Sequence, residues 1–480
     1  MWVALSAFMY ILGFTLIILM VMQRKSPSSS LAWILAIVFL PIVGPLLYLW
    51  FGLGRIVYRV QRRSKSDRKI AEDMGKIENA LTDFRIVQDD RANLPVQREL
   101  IAMTTASHAF AVTHGNAMNL HTDTAAAFTE LLQSLALAEE SVHIQYYIFR
   151  NDETGRELRD ALIAAAKRGV VVRVLVDGVG SWSLPLSFFR ELKKVGGKAA
   201  RYLPVTPLGR PWHWNLRNHR KLTIIDGRIG FIGSANIGNE YRFRRGTTSD
   251  FDDLLLKCKG PVVQQLQEVF AADWFFATNE NIFGTDSLFP LPERSGNVLA
   301  QVVESGPTGR SYTLHDMLCA AIHAATKSVR ILTPFFIPDQ ALIVSLRTAA
   351  LRGIDVEIIT ARHVPGWEKI IYIAGRSFYE DLLSVNVKIY EYLPAFLHMK
   401  GIVVDECFVS VGTANMDMRS FFLNFEVNIN FYSREIGSQI EQVFAERKGL
   451  CEQITMNTFT KRPALTRLLE NTLRVFSPIL

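Results

Sequence analysis

Residues 218–236 read NHRKLTIIDGRIGFIGSAN, an apolar strand pair interrupted by polar side chains at fixed offsets. His219 and Lys221 are two residues apart, Asp226 follows five residues later, and Ser234 and Asn236 come after a glycine. Residues i and i+2 of a strand project from the same face, so we expect His219 and Lys221 to point the same way. The pattern therefore predicts a polar site at the end of a buried strand.

The chain contains this pattern a second time. Residues 397–415 read LHMKGIVVDECFVSVGTAN, in which His398, Lys400, Asp405, Thr413 and Asn415 repeat the first spacing. One His-x-Lys-x4-Asp match is a modest signal, but two full copies, glycine and asparagine included, are hard to attribute to chance. Both copies are therefore candidates for catalysis.

The residue types of the two copies favour an anionic substrate. An imidazolium and an ammonium on one face repel each other unless an anion lies between them, and a phosphate is the simplest such anion. The hydroxyl and amide groups that follow add hydrogen-bond donors suited to phosphate oxygens. We expect His219, Lys221, His398 and Lys400 to surround one phosphorus centre.

The region around the motifs also repeats. The first half contains SVHIQYYIF, GRELRDALIAAAKRG and VVVRVLVDG, and the second contains SVRILTPFF, DQALIVSLRTAALRG and IDVEIITAR in the same order. Apolar strands that alternate with helices predict an α/β fold with covered sheets. We expect a linker over 71–120, one domain over 121–290 and a second, pseudo-twofold-related domain over 291–480.

The first 70 residues have a different composition. The segments 2–22 and 31–53 carry no charge, and about 20 apolar residues suffice to cross a bilayer as a helix, so we expect two transmembrane helices. More Lys and Arg follow the second segment, over 55–69, than lie between the two segments, where only Arg24 and Lys25 occur. The positive-inside rule then places the remainder of the chain in the cytoplasm. The same basic run, with a net charge of +7, would attract an anionic lipid membrane.

The sequence gives little support for a zinc site, a disulfide framework or a nucleic-acid-binding groove. The four cysteines are widely separated and form no C-x-x-C pair, which argues against a zinc ribbon or a disulfide framework. A long basic, aromatic-rich groove of the kind that binds nucleic acid is also missing from the sequence pattern. We expect no cofactor, because lysines and asparagines can supply the electrophilic help that a metal gives elsewhere.

Both motifs resemble the HKD motif of the phospholipase D superfamily. The wider stretches HIQYYIFRND, WNLRNHRKLTIIDG, GSANIGNEY, VKIYEYLPAFLHMK and ANMDMRSFFLNFEVN resemble the bacterial cardiolipin synthases over almost the whole chain. Met399 and Gly401 beside Lys400, and Thr413 in place of the more usual serine, are departures that remove no reactive atom. The resemblance implies two phospholipase D-like domains in a protein of the bacterial cell membrane.

The resemblance also implies a mechanism. A phosphatidyl group of phosphatidylglycerol would pass through a phosphatidyl-histidine to a second phosphatidylglycerol, giving cardiolipin and glycerol. We expect His219 to be the nucleophile and His398 the acid and base, although the copies are nearly equivalent. Family analogy pairs Glu426 with a catalytic histidine, and aligning DLLLKC with EVNINF makes Asp253 its counterpart.

The remaining motif residues receive supporting roles. Lys221 and Lys400, with Asn236 and Asn415, would hold the non-bridging oxygens, aided by the hydroxyls of Ser234 and Thr413. Asp226 and Asp405 would orient a histidine or lysine indirectly. Two rival functions stay open on the sequence: a membrane-bound phospholipase D-type hydrolase that lets water accept the group, and a catalytically inactive membrane scaffold. The sequence does not indicate an oligomeric state.

Overall fold

The computed structural model describes residues 2–22, 27–49, 68–86, 95–106, 109–204, 215–243, 246, 250–307 and 312–478. Most of the basic run predicted to fix the topology, from Arg55 to Lys65, lies outside these residues.

The N-terminal region folds into three helices, α1 (Trp2–Met22), α2 (Pro27–Phe39) and α3 (Val43–Leu47). The second predicted apolar segment is interrupted between α2 and α3, where Pro41 cannot donate a backbone hydrogen bond. No helix in the described residues is both long enough and apolar enough to cross a bilayer.

A mixed sheet forms the centre of the fold. Its strands are β1 (Thr113–His121), β2 (Ser141–Tyr146), β3 (Val171–Asp177), β4 (Lys198–Tyr202), β5 (Leu222–Ile225), β6 (Ile229–Gly233), β8 (Leu255–Lys259), β9 (Val298–Ser305), β10 (Ser328–Thr333), β12 (Asp355–Ala361), β13 (Lys388–Tyr392), β15 (Gly401–Val404), β16 (Phe408–Gly412), β18 (Glu426–Phe431) and β19 (Cys451–Ile454). Four two-residue strands form two small parallel pairs outside it: β7 (Phe251–Asp252) with β14 (Phe396–Leu397), and β11 (Phe336–Ile337) with β17 (Met416–Asp417).

The strand order of the large sheet is duplicated. From the middle outwards, the first half runs β1-β8-β6-β5-β2-β3-β4 and the second runs β9-β18-β16-β15-β10-β12-β13, with β19 added at the second edge. The halves join where β1 pairs antiparallel with β9. β1 begins at Thr113, inside the stretch expected to be a linker. One sheet of 15 strands therefore runs through both halves.

Helices cover the sheet, as the alternating pattern predicts. They are α4 (Arg68–Ala80), α5 (Pro95–Ala106), α6 (Thr124–Ala136), α7 (Glu153–Lys167), α8 (Arg190–Lys194), α9 (Asn239–Arg242), α10 (Val262–Thr278), α11 (Thr313–Ala324), α12 (Gln340–Leu351), α13 (Lys369–Arg376), α14 (Tyr379–Leu383), α15 (Met418–Phe422), α16 (Arg434–Lys448), α17 (Met456–Thr460) and α18 (Ala464–Arg474). The prediction of an α/β fold is confirmed.

Local signals explain where the equivalent helices begin. Asp152 caps α7 by accepting a hydrogen bond from the Gly155 amide, and Asp339 caps α12 by accepting one from Leu342. An aspartate at this position satisfies amides that the first helical turn leaves unpaired. The two caps occupy matching places in the halves, between β2 and β3 and between β10 and β12.

The junction between the halves is packed by α10, in which 12 of the 17 residues are buried. Gln265 of this helix accepts a hydrogen bond from the backbone of Val302 on β9 and donates one to Ala111. Buried amides are costly unless paired, so these bonds fix the helix against the strands that join the halves. The junction is part of the main hydrophobic core, which draws side chains from both halves.

Candidate active site

Both motif histidines lie at the same edge of the sheet. His219 precedes β5, which is antiparallel to β2, and His398 precedes β15, which is antiparallel to β10. Each histidine therefore lies by the carboxyl end of the neighbouring strand. Loops that leave parallel strands at this edge are free to line a common site, which is the general arrangement in α/β folds.

Each histidine is held by a carboxylate from the other half. Nδ1 of His219 lies 2.9 Å from Oε2 of Glu426, and Nδ1 of His398 lies 2.6 Å from Oδ1 of Asp253. A carboxylate accepts only, so each pair favours the tautomer with its proton on Nδ1 and leaves Nε2 as the reactive nitrogen. Both carboxylates are fully buried. The pairings expected for Glu426 and Asp253 are present, and they cross between the halves.

Backbone hydrogen bonds align each histidine with the carboxylate of the other half. The His219 amide donates to the Phe425 carbonyl at 2.9 Å, directly before Glu426, and the His398 amide donates to the Asp252 carbonyl at 2.8 Å, directly before Asp253. The second contact belongs to the β7–β14 pair. Because the backbone registers are fixed, the reciprocal side-chain pairs need little further ordering.

The two motif hydroxyls support the carboxylates. Ser234 Oγ donates to Asp253 at 2.6 Å, and Thr413 Oγ1 donates to Glu426 at 2.7 Å. The sequence predicts phosphate-binding hydroxyls at these positions, but the structure commits both to the acids. The change from serine to threonine in the second copy keeps this contact because threonine retains the hydroxyl.

The two lysines are buried between these pairs. Lys221 and Lys400 are each only 1% exposed, and each Nζ donates at 2.6 Å to the carbonyl of its own motif histidine. Burial lowers the pKa of Lys221 to about 7 and that of Lys400 to about 8. Repulsion from the Lys400 charge lowers the pKa of Lys221 further. Glu426 and Asp253 oppose the loss of both charges. An ammonium has three donors, so two remain for a ligand.

Both imidazoles favour the neutral form. Burial, with repulsion from the lysines, lowers the pKa of His219 to about 4 and that of His398 to about 3, although the paired carboxylates act in the opposite direction. The aromatic rings of Tyr241, Phe251 and Phe396 lie 5.3–5.8 Å from the His398 ring and exclude water from it. The Tyr147 ring lies 4.9 Å from that of His219.

The two carboxylates favour the charged form. Burial alone would raise the pKa of Glu426 and Asp253, but the adjacent histidine and lysines outweigh it and lower both values. The site therefore combines two carboxylates, two buried lysines whose pKa values are lowered, and two neutral imidazoles. Each lysine influences both histidines, so the motifs form one electrostatic unit.

The two motif asparagines are buried. Asn236 is 6% exposed, and its Oδ1 accepts a hydrogen bond from the Ile148 amide at 3.0 Å. Asn415 is 7% exposed, and its Oδ1 is buried without a hydrogen-bond partner among the described atoms. An unpaired buried polar atom is costly, which fits a group that awaits a ligand or water.

Asp226 and Asp405 do not contact either histidine. The Asp226 carboxylate accepts hydrogen bonds from the amides of three consecutive residues, 139–141, and Asp405 accepts from those of residues 326–328. Both aspartates have φ of 53°, in the left-handed region that aspartate tolerates better than most residues. Their assignment to the catalytic group is corrected: the turn after β5 or β15 carries them to the start of β2 or β10.

Arg220 is a residue that the motif analysis missed. It lies between His219 and Lys221 and projects from the opposite face, where it is 3% exposed. Its guanidinium contacts Asp273 at 2.8 Å and Glu304, on β9 of the other half, at 2.5 Å. Its Nε also donates to the carbonyl of Glu426. Its sequence signal was weak, because it stands between His219 and Lys221 and the second copy has Met399 at this position.

Comparison with known proteins assigns the family. A model described as "Cardiolipin synthase, PLD-like domain" matches residues 131–274 and 318–448, and one described as "Phospholipase_D-nuclease N-terminal" matches residues 8–52. The chain belongs to the phospholipase D-like cardiolipin synthase family. The resemblance seen in the sequence is confirmed.

Relatives match this family member over nearly their full length. The chain is 36% identical over 483 residues to the major cardiolipin synthase ClsA of Bacillus subtilis, covering 100% of this chain and 99% of the relative. It is 34% identical over 468 residues to cardiolipin synthase of Alkalihalophilus pseudofirmus, covering 96% and 91%. The crystal structure of Haemophilus influenzae phosphatidylserine synthase aligns with a TM-score of 0.61 at 14% identity, covering 79% of this chain and 100% of that one. That similarity shows the shared fold.

Replacing Arg220 tests how the first motif is held. Arg220→Met leaves the Asp273 carboxylate buried without its cation, a loss that costs about 3–5 kcal/mol. We expect unfolding in detergent micelles to show a destabilisation of that order. Met399→Leu at the matching position is the control, and it should cost less than about 1.5 kcal/mol. Equal losses in the two variants would contradict the role assigned to Arg220.

Proposed function

We propose that the protein synthesises cardiolipin by transferring a phosphatidyl group from one phosphatidylglycerol to another. The observation that carries the proposal is the reciprocal pairing of His219 with Glu426 and of His398 with Asp253. It gives two imidazoles with reactive Nε2 atoms and two lysines in one electrostatic unit. Similarity to cardiolipin synthases along the whole chain supports the same reaction.

In the first step, Nε2 of His219 attacks the phosphorus of phosphatidylglycerol. A phosphorus–nitrogen bond forms, the bond to the headgroup glycerol oxygen breaks, and protonated His398 gives that oxygen a proton. The Nδ1 proton of His219 stays directed at Glu426, which stabilises the cationic phosphatidyl-histidine. Nucleophilic catalysis of this kind divides one displacement into two easier ones.

In the second step, neutral His398 removes the proton from a terminal hydroxyl of a second phosphatidylglycerol. The resulting oxygen attacks the phosphorus, the bond to His219 breaks, and cardiolipin leaves. His398 ends protonated, ready for the next first step, so the protons balance over a cycle. The alternation needs a histidine that can take either form.

The negative charge of the bound substrate would favour the protonated form of His398. In the empty site, burial and the lysine charges disfavour imidazolium at His398. A phosphodiester anion between the motifs offsets that repulsion, and it favours charged Lys221 and Lys400 as well. We assign these lysines, with Asn236 and Asn415, to the non-bridging oxygens, where charge increases in the transition state.

We also propose that the N-terminal region anchors the protein in the bacterial cell membrane, with the catalytic domains on the cytoplasmic side. The uncharged segments 2–22 and 31–53 support two spans, and exposed side chains such as Phe8, Ile11 and Phe14 are apolar. The N-terminal family match covers the same region. The anchor would hold the site beside its lipid substrates.

Product analysis tests the reaction. Purified protein incubated with labelled phosphatidylglycerol in mixed micelles should give cardiolipin and glycerol. His219→Ala and His398→Ala should each abolish most of this activity, because both act on one phosphorus. Phosphatidic acid as the main product would instead identify a hydrolase, and no product would indicate a scaffold. A half-active single variant would mean two independent sites.

The pH dependence tests the roles of the histidines. Glu426 raises the pKa of His219, so Glu426→Gln should lower it and move the acidic limb of the kcat profile to lower pH. Asp253→Asn should lower the pKa of His398 and move the basic limb, which needs its imidazolium, to lower pH. Rates at the optimum should fall about 10³-fold or more, as when a carboxylate that orients a catalytic histidine is lost. If Glu426→Gln moved the basic limb and Asp253→Asn moved the acidic limb, the assignment of nucleophile and acid would be reversed.

Cysteine labelling tests the topology. In intact cells, Ser66→Cys should resist a membrane-impermeant thiol reagent, because the basic segment around it is placed on the cytoplasmic side. Ser26→Cys, between the two apolar segments, should react readily and is the matched control. Rapid labelling at Ser66 with protection at Ser26 would invert the topology.

A further inference from the structure

We propose that two exposed apolar tips, Trp182 with Leu186 and Trp367 with Ile370, dock the mouth of the site on the surface of an anionic lipid bilayer. The inference rests on the proposed function, since it concerns how the enzyme meets substrates that lie in a membrane. It adds an interaction surface that is separate from the N-terminal segments.

The tips occupy equivalent places in the two halves. Trp182 lies five residues after the end of β3, and Trp367 lies six residues after the end of β12. β3 is parallel to β2 and β12 is parallel to β10, so both loops leave the sheet at the edge where the histidines lie. The duplicated fold therefore puts one tryptophan on each side of one site.

Hydrogen bonds connect the first tip to the site. Ser181, next to Trp182, donates at 2.9 Å to the carbonyl of Tyr147, whose ring packs on His219. At the start of the same loop, Asp177 accepts from the amide of Asn218 at 2.7 Å. The loop is thus hydrogen-bonded both to Tyr147, which packs on His219, and to Asn218, which precedes His219.

The second tip adjoins the second motif. Glu368, next to Trp367, is half-buried; burial raises the pKa of its carboxyl group, and the charge of Lys400 opposes that rise. Glu368 also influences Tyr147 and Tyr241, which lie beside the two different histidines. The loop follows β12, which is parallel to β10, so it leaves the sheet at the edge where His398 lies.

The exposure of the tips is high for apolar side chains. Trp182 is 73% exposed and Trp367 is 71% exposed, while Leu186 and Ile370 are 39% and 41% exposed. Large aromatic groups in water lose the stabilisation that burial would give, so two such pairs at one mouth suggest a partner. Tryptophan is enriched at the boundary between lipid headgroups and acyl chains.

The charges beside the tips select the partner. A surface recess next to Leu186 is lined by Arg190, Lys193 and Lys194, and one next to Trp367 is lined by Arg362, His363 and Lys369. Some of these cations have acidic partners: Lys194 contacts Glu191, and Arg362 contacts Glu391. Apolar tips flanked by basic side chains complement a bilayer with anionic headgroups.

Two readouts on the full chain test the docking. The Trp182→Ala/Trp367→Ala double variant and the unchanged protein are reconstituted into phosphatidylglycerol vesicles whose acyl chains are brominated, and tryptophan quenching is measured. Cardiolipin formation is then compared between phosphatidylglycerol vesicles and soluble dihexanoyl phosphatidylglycerol. The control is Leu137→Ala/Leu351→Ala, which removes residues 79% and 69% exposed at the opposite edge of the sheet, before β2 and β12.

We expect the tryptophan variant to lose the part of the quenching that Trp182 and Trp367 contribute. Its rate on vesicles should fall about tenfold, the factor expected if about one apolar side chain of interfacial burial is lost, with little change on the soluble lipid. The leucine control should match the unchanged protein in both assays.

Three results would overturn the proposal. Unquenched Trp182 and Trp367 in the unchanged protein would place the tips away from lipid. An equal loss of rate on vesicles and on soluble lipid would place their effect inside the site. A change in oligomeric state of the tryptophan variant would identify a second copy of the chain as the occupant. If the unchanged protein makes no cardiolipin from either lipid, the proposed function fails, while the quenching still decides whether the tips reach the bilayer.

Discussion

The structure of the site depends on one interaction, the hydrogen bond between a histidine of one half and a carboxylate of the other. Glu426 reaches His219 and Asp253 reaches His398, and each carboxylate is steadied by a hydroxyl from its own half. Because both pairs cross between the halves, neither half contains a complete histidine–carboxylate pair. The duplication is therefore used to build one site rather than two.

This arrangement also balances the buried charge. Two carboxylates and two ammonium groups would each be expensive to bury alone, but together they compensate one another. The low pKa values of the histidines, about 4 and about 3, keep those rings neutral in the empty site. The cluster is thus close to neutral until a phosphodiester arrives, and the anion then favours protonation of the groups around it.

The sequence predicted the convergence of the motifs well and the supporting contacts less well. His219 and His398 could be found because their spacing is repeated, and the alternation of apolar strands with helices gave the α/β class. The partners Glu426 and Asp253 followed only from analogy and alignment, because they lie more than a hundred residues from the histidines they contact. Spacing cannot report such pairings.

Other roles depended on details that no periodicity encodes. Asp226 begins the turn after β5 with φ in the left-handed region, and this conformation directs its carboxylate to the amides at the start of β2. Ser234 sits where a phosphate ligand was expected, yet its neighbour in the fold is Asp253. The position of β1 within a polar segment was equally hidden, because its partners β8 and β9 come much later in the chain.

The antiparallel junction of β1 with β9 bears on how the two halves hold the site together. The pairing shifts register between Thr113 and Asn116, and α10 packs over it, with Gln265 bonded to Val302 on β9 and to Ala111 just before β1. These bonds hold the two halves together where the chain passes from one to the other, and so they hold each histidine against its carboxylate. In the proposed mechanism the first alcohol then leaves before the second lipid attacks, which corresponds to a ping-pong order of release and binding.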